Sequence, residues 1–181
     1  MLPLAITLQV LLVLYHQATT LFDFFPFNGV RFYSRREKLA EAAVNFVLMS
    51  LPPIGFILRV PLLMKFALVY YFILFGVECA TWWAPYFLGP SPKWLELYNR
   101  IHRQTITILP RRENQPAPNL EHLILMALTL LTAISTLMAF RTLDLQLPQW
   151  WIGLLIGVIL VGGTLFQFCF QGRAKSNPPT A

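Results

Sequence analysis

Runs of about 20 apolar residues recur along the 181-residue chain, and they constrain its fold more than any other feature. A helix of that length crosses a hydrocarbon core of about 30 Å, because each residue adds about 1.5 Å. Only 12% of the residues are charged, about half of the share that soluble domains carry. The sequence therefore predicts an integral membrane protein. A single membrane domain over residues 1–181 is expected, because no polar stretch is long enough to fold separately.

Five membrane spans are predicted, which makes the fold an all-α bundle of about five transmembrane helices. The spans cover approximately residues 2–24, 39–57, 66–88, 120–140 and 149–170. Because Pro52 and Pro53 interrupt the second run, this helix is predicted to be kinked, tilted or partly re-entrant. One interfacial helix is predicted in the 89–119 loop, whose apolar residues recur at helical spacing. These residues are Trp94, Leu97, Tyr98 and Ile101.

Lys and Arg are distributed unequally between the two sets of loops. With five spans, the loops 28–38 and 89–119 and the C-terminal tail carry eleven of these residues, and the opposite loops carry three. The positive-inside rule therefore predicts an N-terminus outside and a C-terminus in the cytoplasm. The same distribution explains the net charge of +6 without nucleic acid as a partner. The choice between plasma membrane and endoplasmic reticulum is left open.

Polar side chains within the predicted spans share single helix faces and a common depth. Spacings of three, four and seven residues arrange them in stripes. The stripes contain Gln9, His16, Thr20 and Asp23, then Lys38, Glu41 and Asn45, then Tyr71, Glu78, Trp82 and Pro85, and finally His122 and Thr129, with Glu121 beside them. We expect the stripes to line a cavity that opens to the cytoplasm and narrows toward Glu78. Its mouth is predicted at Asp23, Glu41 and His122, and its neck at Asn45 and His16.

Glu78 is the strongest candidate for chemistry, since it lies near the predicted midplane. A charged residue there costs roughly 2.5–3.5 kcal/mol on insertion scales, so it usually faces the bundle interior or water and marks function. An apolar pocket favours the neutral acid, which can donate a proton. The predicted catalytic residues are Glu78, His122, His16 and Asp23, with a histidine within hydrogen-bond reach of Glu78. The alternative is a structural Glu78 that is bonded to Tyr71 or to a histidine.

The predicted substrate-binding residues combine polar cavity positions with aromatic and basic neighbours. They are Asn45, Glu41, Trp82, Trp83, Tyr71, Asn119, Arg100 and Arg103. Structural roles compete at several positions: tryptophans anchor helices at interfaces, Asn119 suits an N-cap, and Glu41 and Glu121 suit first helical turns. Asp23 also suits the end of a span, and His16 suits a buried histidine bonded to a neighbour. The two arginines either bind an anionic group or serve only orientation. His102 is predicted to face solvent or headgroups.

Three short stretches carry a resemblance: WWAPY at 82–86, ILP at 108–110 and APNLEH at 117–122. In these stretches the chain resembles a group of small, mostly uncharacterised multi-pass bacterial membrane proteins. The resemblance covers roughly residues 78–125. It implies no activity, but it groups Trp82, Trp83, Pro85, Asn119 and His122 as one unit.

The function predicted from these features is action on an apolar or lipid-like small molecule. Acid–base catalysis through Glu78, as in an isomerase, cyclase, hydratase or hydrolase, is one hypothesis. The sequence contains no GxSxG, HExxH or phosphate-loop motif and no histidine pair at i, i+4, so neither a cofactor nor a metal is predicted. A non-catalytic lipid-binding or accessory protein is the alternative. Solute transport ranks third, because the outer half is apolar and no inverted repeat is visible.

The predicted fifth span is rich in glycine. Gly153 and Gly157 are spaced as in GxxxG, and Gly162 and Gly163 follow. Small residues allow close helix contact. This spacing is typical of a packing helix or of a homodimer contact, and membrane lipids are the other predicted partners.

Overall fold

The computed structural model describes residues 1–111 and 115–143, and this part of the chain is all-helical. Its five α-helices are α1 Leu2–Leu21, α2 Arg35–Ile57, α3 Pro61–Leu88, α4 Pro92–Ile101 and α5 Leu120–Thr142, with a 3₁₀ turn at Val30–Phe32. Four of them, α1, α2, α3 and α5, are long and apolar enough to cross a membrane. The prediction of an all-α fold is confirmed for these residues, and the four long helices are consistent with an integral membrane protein. The predicted span 149–170 lies outside the described residues.

The four long helices form an up-and-down bundle. Helix α1 packs against α2 and α5, and α3 packs against the same two helices, so α1 and α3 lie at opposite corners. The core between them is apolar and includes Leu12, Met49, Phe56, Tyr71 and Phe140, all nearly inaccessible to solvent. We call the end where α1 ends and α5 begins the loop end. The opposite end, where α2 turns into α3, is the hairpin end.

Helix α2 begins four residues before the predicted position and is not broken by its prolines. Ser34 and Glu37 form a capping box: the Ser34 hydroxyl accepts from the Glu37 N–H at 3.2 Å, and the Glu37 carboxylate accepts from the Ser34 N–H at 2.8 Å. The helix then runs through Pro52 and Pro53 to Ile57, so the predicted interruption is wrong. Both prolines are buried, and neighbouring helices stabilise such positions in membrane bundles.

The other span boundaries also differ by a few residues. Helix α1 ends at Leu21 rather than near residue 24, because the Asn28 amide donates to the carbonyls of Thr19 and Phe22, both at 2.9 Å. These bonds satisfy acceptors that a helix end leaves without partners. Helix α3 begins at Pro61 instead of 66, with the proline in its first turn, where its missing N–H is not needed. Helix α5 begins at the predicted residue 120 and ends at Thr142.

At the hairpin end the backbones of α2 and α3 come very close together. A Cβ atom added to Gly55 would lie 2.4 Å from the Cβ of Leu63. Real Cβ atoms do not approach a neighbour so closely, so this crossing requires a residue without a side chain. The hairpin therefore holds the two helices together at the end opposite the candidate site.

Helix α4 lies at the loop end and confirms the helix predicted within 89–119. Its apolar side places Tyr98 and Ile101 in the interior. Three contacts fix it: the Ala117 N–H donates to the Tyr98 hydroxyl at 3.3 Å, Arg100 pairs with Glu37 at 3.2 Å, and Ile101 lies directly against Gly29. The next residue, His102, is 3% exposed, so the prediction that it faces solvent or headgroups is wrong.

Candidate functional site

A partly open cavity lies at the loop end, with about 330 Å³ of empty space including its open side. It is enclosed by the end of α1, the segment 29–33, the first turns of α2 and α5, and the residue that follows α4. The lining residues are Thr19, Thr20, Gly29, Val30, Tyr33, Lys38, Glu41, His102, Glu121 and His122. Of the predicted site residues, the structure brings Glu41 and His122 to this cavity.

Asn119 fixes the position of His122. The Asn119 Oδ1 atom accepts from the His122 backbone N–H at 3.1 Å, which makes Asn119 the N-cap of α5, as predicted. The same oxygen lies 2.6 Å from Nδ1 of the His122 ring. Since an amide oxygen only accepts, Nδ1 carries the proton, and the neutral ring has its lone pair on Nε2. One side chain thus starts the helix and selects the tautomer.

Trp82 packs against the two histidines of the cavity without lining the cavity itself. It is 2% exposed, and its ring centroid lies 4.2 Å from that of His122 and 5.0 Å from that of His102. The two imidazole rings are nearly perpendicular, with centroids 5.4 Å apart. The predicted grouping of Trp82 with Asn119 and His122 therefore corresponds to real contacts, in which α3 supports residues of α4 and α5.

His102 brings a second imidazole to the cavity. Burial lowers the pKa of His102 to about 4, so its ring is neutral at pH 7. Its Nδ1 atom is buried and has no hydrogen-bond partner among residues 1–111 and 115–143. The His102 carbonyl accepts from the Thr105 hydroxyl at 2.7 Å, which holds the chain as it leaves α4.

Two carboxyl groups and a tyrosine complete the polar lining of the cavity. Glu121 is 9% exposed, and its Oε2 atom lies 3.7 Å from Nδ1 of His122. The Tyr15 hydroxyl donates to the Glu121 carbonyl at 2.8 Å and so ties α1 to the start of α5. Burial, together with the charges of Glu41 and Glu121, raises the pKa of Tyr33. Tyr33 is therefore a neutral hydrogen-bonding group at physiological pH.

Glu78 does not line this cavity. Its Oε1 atom accepts from the Thr129 hydroxyl at 3.0 Å, and Oε2 is buried without a partner in the described part of the chain. No hydrogen bond joins Glu78 to any of the three histidines, all of which the structure describes. The predicted pairing of Glu78 with a histidine is wrong, because Trp82, one turn further along α3, takes the place beside His122.

Asp23 and His16 are likewise not brought to the cavity. Asp23 lies on the surface, where it pairs with Arg31 at 3.1 Å. The hydrogen bond from Arg31 holds the pKa of Asp23 below its usual range, so Asp23 is a stable anion and not a proton donor. His16 is paired through Nδ1 with the Thr20 hydroxyl at 3.4 Å, which matches the alternative of a histidine bonded to a neighbour.

The remaining predicted binding residues are dispersed. Tyr71 belongs to the apolar core, Trp83 stacks on Phe87 with centroids 5.8 Å apart, and Asn45 is half-buried outside the lining. The Arg100 guanidinium is engaged by Glu37, and Arg103 is exposed. Tyr71 and Asn45 are predicted from helical spacing, but spacing does not determine which neighbour a helix face meets.

Sequence reasoning missed His102 and Tyr33, and it placed Lys38 on a stripe and Glu121 beside one without predicting either as a site residue. A signal existed for His102, because it follows Tyr98 by four residues and thus continues the buried face of α4. Glu121 adjoins His122 in APNLEH, and its role as a first-turn acid concealed its place in the cavity. Lys38 lies on α2, three residues before Glu41, as the second stripe predicts, whereas Tyr33 is brought in by the 22–34 segment, whose path no periodic pattern predicts.

Within residues 1–111 and 115–143, no three His, Cys, Asp or Glu side chains converge closely enough to hold a metal ion. The cavity instead presents its two neutral imidazoles and two carboxyl groups as separate proton donors and acceptors. No protein-family model, no curated protein and no solved structure matches this chain.

Proposed function

We propose that this protein is a membrane enzyme that acts on the polar group of an amphipathic small molecule by acid–base chemistry at the loop-end cavity. One observation supports this most directly: the 2.6 Å contact between Asn119 and His122 directs the proton of the ring away from the Nε2 lone pair in a cavity that also contains Glu121 and His102. A histidine with a fixed tautomer is the usual general base of enzymes that work near pH 7.

The arrangement supports a two-proton reaction. His122 takes a proton at Nε2, and Glu121, whose oxygen lies 3.7 Å from Nδ1, stabilises the resulting cation. His102 or Glu41 exchanges the second proton at another atom of the substrate. Isomerisation, cyclisation and hydration all require removal of a proton at one atom and delivery at another, and each fits this set of groups.

The size and surroundings of the cavity limit the substrate. The empty space of about 330 Å³ includes the open side of the cavity, so the enclosed part is much smaller and suits only a small polar group. The bundle interior beyond it is filled by side chains such as Leu12 and Met49. The apolar part of the substrate therefore remains in the lipid beside the bundle.

We place the loop end in the cytoplasm, because the basic residues gather there. Arg31, Arg35, Arg36, Lys38, Lys93, Arg100, Arg103 and Arg111 flank this end, whereas Arg59, Lys65 and Arg141 flank the other. Such a distribution is typical of the inner leaflet. The substrate then enters from the cytoplasmic side.

A non-catalytic binding protein is the second candidate. Asn119 and Glu121 occupy the cap and first turn of α5, where both residue types stabilise a helix without any chemistry. Under this alternative, the same cavity holds a polar group and His122 only donates or accepts a hydrogen bond.

Metabolite profiling distinguishes the two candidates. The native host lacking this protein is complemented with the wild type, His122→Gln or Glu121→Gln, and with Glu96→Gln as the control, since Glu96 is exposed on α4. Membrane levels of each variant are measured in parallel. We expect His122→Gln to leave one compound accumulated and another missing, as in the deletion, while Glu96→Gln restores the wild-type profile. A His122→Gln variant that is present at normal level and restores the profile contradicts catalysis.

A further inference from the structure

A line of polar side chains runs through the bundle interior beyond the cavity. Glu78 receives a hydrogen bond from Thr129, Thr132 donates to the Leu8 carbonyl at 3.4 Å, and the Gln9 amide donates to the Thr136 hydroxyl at 2.9 Å. All five side chains are at least nine-tenths buried. We call this set, Gln9, Glu78, Thr129, Thr132 and Thr136, the buried polar seam.

The seam lies beyond the cavity, in the long-helix part of the bundle. Thr129 follows His122 by seven residues and Thr136 follows Thr129 by seven, so each step covers about 10 Å along α5. Beyond Thr136, toward the hairpin end, the interior contains the fully buried rings of Phe56 and Phe140. The seam is therefore closed at the hairpin end and approaches the cavity at the loop end.

Three buried polar atoms in this region have no partner among the described residues: Glu78 Oε2, Gln9 Oε1 and the Tyr71 hydroxyl. A polar atom buried away from water raises the free energy of the folded protein unless another group forms a hydrogen bond with it. The Oε2 side of Glu78 lacks a hydrogen-bond partner in both protonation states. The ionised carboxylate lacks a donor at Oε2, and the neutral acid lacks an acceptor for its O–H. A mobile hydrogen-bonding species satisfies both states.

We propose that Glu78 is an intramembrane proton-binding site, separate from His122, that exchanges its proton with water entering from the loop end. The exchange transfers one proton from hydronium to Oε2 and returns it to water on release, with no change of oxidation state. The Thr129 hydroxyl keeps Oε1 occupied, so that Oε2 is the exchanging atom. Entry from the loop end is inferred because the fully buried rings of Phe56 and Phe140 close the bundle interior at the hairpin end.

The other ionisable groups around Glu78 are few. Tyr70, Tyr71 and Cys79 lie on α3 itself, and the buried residues that α2 contributes carry no charge. On α5 the ionisable groups nearest in sequence to Thr129 are Glu121 and His122, about two turns away. Glu78 therefore binds its proton without a fixed counter-ion beside it.

Infrared difference spectroscopy of the protein in lipid nanodiscs tests this proposal. The wild-type spectrum minus the Glu78→Gln spectrum is expected to contain the carbonyl band of a carboxylic acid, and this band is expected to shift within minutes of transfer to D₂O. Glu96→Gln, at the exposed position of α4, is expected to give no such band. Wild type compared with Thr129→Val is expected to show the same band at higher frequency, since Oε1 loses its hydrogen bond.

Two results would overturn the proposal. The absence of an acid band at every pH between about 5 and 9 would mean a permanently ionised, structural Glu78. A band that does not exchange in D₂O would mean a sealed carboxyl group. If Glu78→Gln fails to fold, the frequency shift in Thr129→Val still assigns the acid band to Glu78. The spectra do not depend on turnover, so this site and the His122 chemistry can fail independently.

Discussion

At the scale of single residues, the loop-end cavity depends on side chains that serve two purposes. Asn119 caps α5 and orients His122 through the same oxygen atom. Glu121 joins α5 to α1 through its backbone carbonyl, which accepts from the Tyr15 hydroxyl, while Glu121 also lines the cavity. A substitution at such a position changes the helix start and the site together, so its effect on stability must be separated from its effect on activity.

His102 makes stability depend on pH. Because burial lowers its pKa from 6.5 to about 4, the unfolded chain binds more protons between these values, and the free energy of unfolding falls as pH drops through that window. By pH 4 the free energy of unfolding is expected to be lower by about 3 kcal/mol, since one pKa unit corresponds to about 1.4 kcal/mol. Thermal unfolding in detergent at pH 7, 6, 5 and 4.5 measures the loss.

The matched variant is His102→Phe, which keeps an aromatic ring but does not titrate. We expect its thermal midpoint to fall less between pH 7 and 4.5 than that of the wild type. Asp23 does not disturb this window, because its pKa is held below the usual range and its ion-pair contribution is lost only in more acidic solution. If the thermal midpoints of wild type and His102→Phe fell equally with pH, His102 would be hydrated in the folded protein.

At the scale of elements, the hairpin of α2 and α3 shows why one glycine matters and another does not. Gly55 faces the Leu63 backbone and side chain, whereas a Cβ atom added to Gly76 meets nothing within 4 Å. Gly55→Ala is expected to cost about 1–3 kcal/mol, since the helices must separate. Gly76→Ala is expected to be neutral or to stabilise by up to about 1 kcal/mol, because alanine favours helix.

Thermal unfolding of both glycine variants in the same detergent checks this prediction. The two substitutions make the same chemical change on neighbouring helices, so each serves as the other's control. Equal midpoints for Gly55→Ala and Gly76→Ala would indicate that the α2–α3 crossing is looser than the structure shows.

The long helices can be predicted from the sequence because their length and hydropathy are local properties. The residues at which they begin and end are harder to predict. The hydropathic run places the second span at residue 39, but Ser34 and Glu37 already carry the capping-box signal for a start at Arg35. Pro61 likewise marks the start of α3 five residues before the predicted one. In contrast, continuity through Pro52 and Pro53 depends on tertiary packing, which no local rule contains.

At the scale of the whole molecule, the sequence predicted a polar cavity but only part of its wall. Glu41 and His122 were identified because they continue stripes on their own helices. His102 continues the buried face of α4 just past its last residue, whereas Tyr33 reaches the cavity through the 22–34 segment, which has no periodicity. The rotation of α3 about its axis decides that Trp82, and not Glu78, meets His122. Such rotations result from packing against two neighbours at once.

The proposed orientation makes a prediction about the complete protein. In a background with Cys79 and Cys169 replaced by serine, Arg103→Cys is expected to react with a membrane-impermeant maleimide only after cells are permeabilised. Leu62→Cys, 75% exposed at the hairpin end, is expected to react in intact cells. The reverse pattern would place the cavity on the outer side, and equal reactivity of both positions would contradict a bundle that spans the membrane.

The wall of the cavity comes from widely separated parts of the chain, from Thr19 at the end of α1 to His122 in the first turn of α5. During synthesis, the last residues of the cavity wall therefore leave the ribosome only after three long helices have left the exit tunnel. All ionisable residues of the cavity lie in loops or in the first two turns of helices, so with the proposed cytoplasmic loop end none has to be carried through the bilayer. Biogenesis of this protein thus consists of inserting hydrophobic helices first and assembling a site afterwards, and a variant can complete the first step yet never acquire the site.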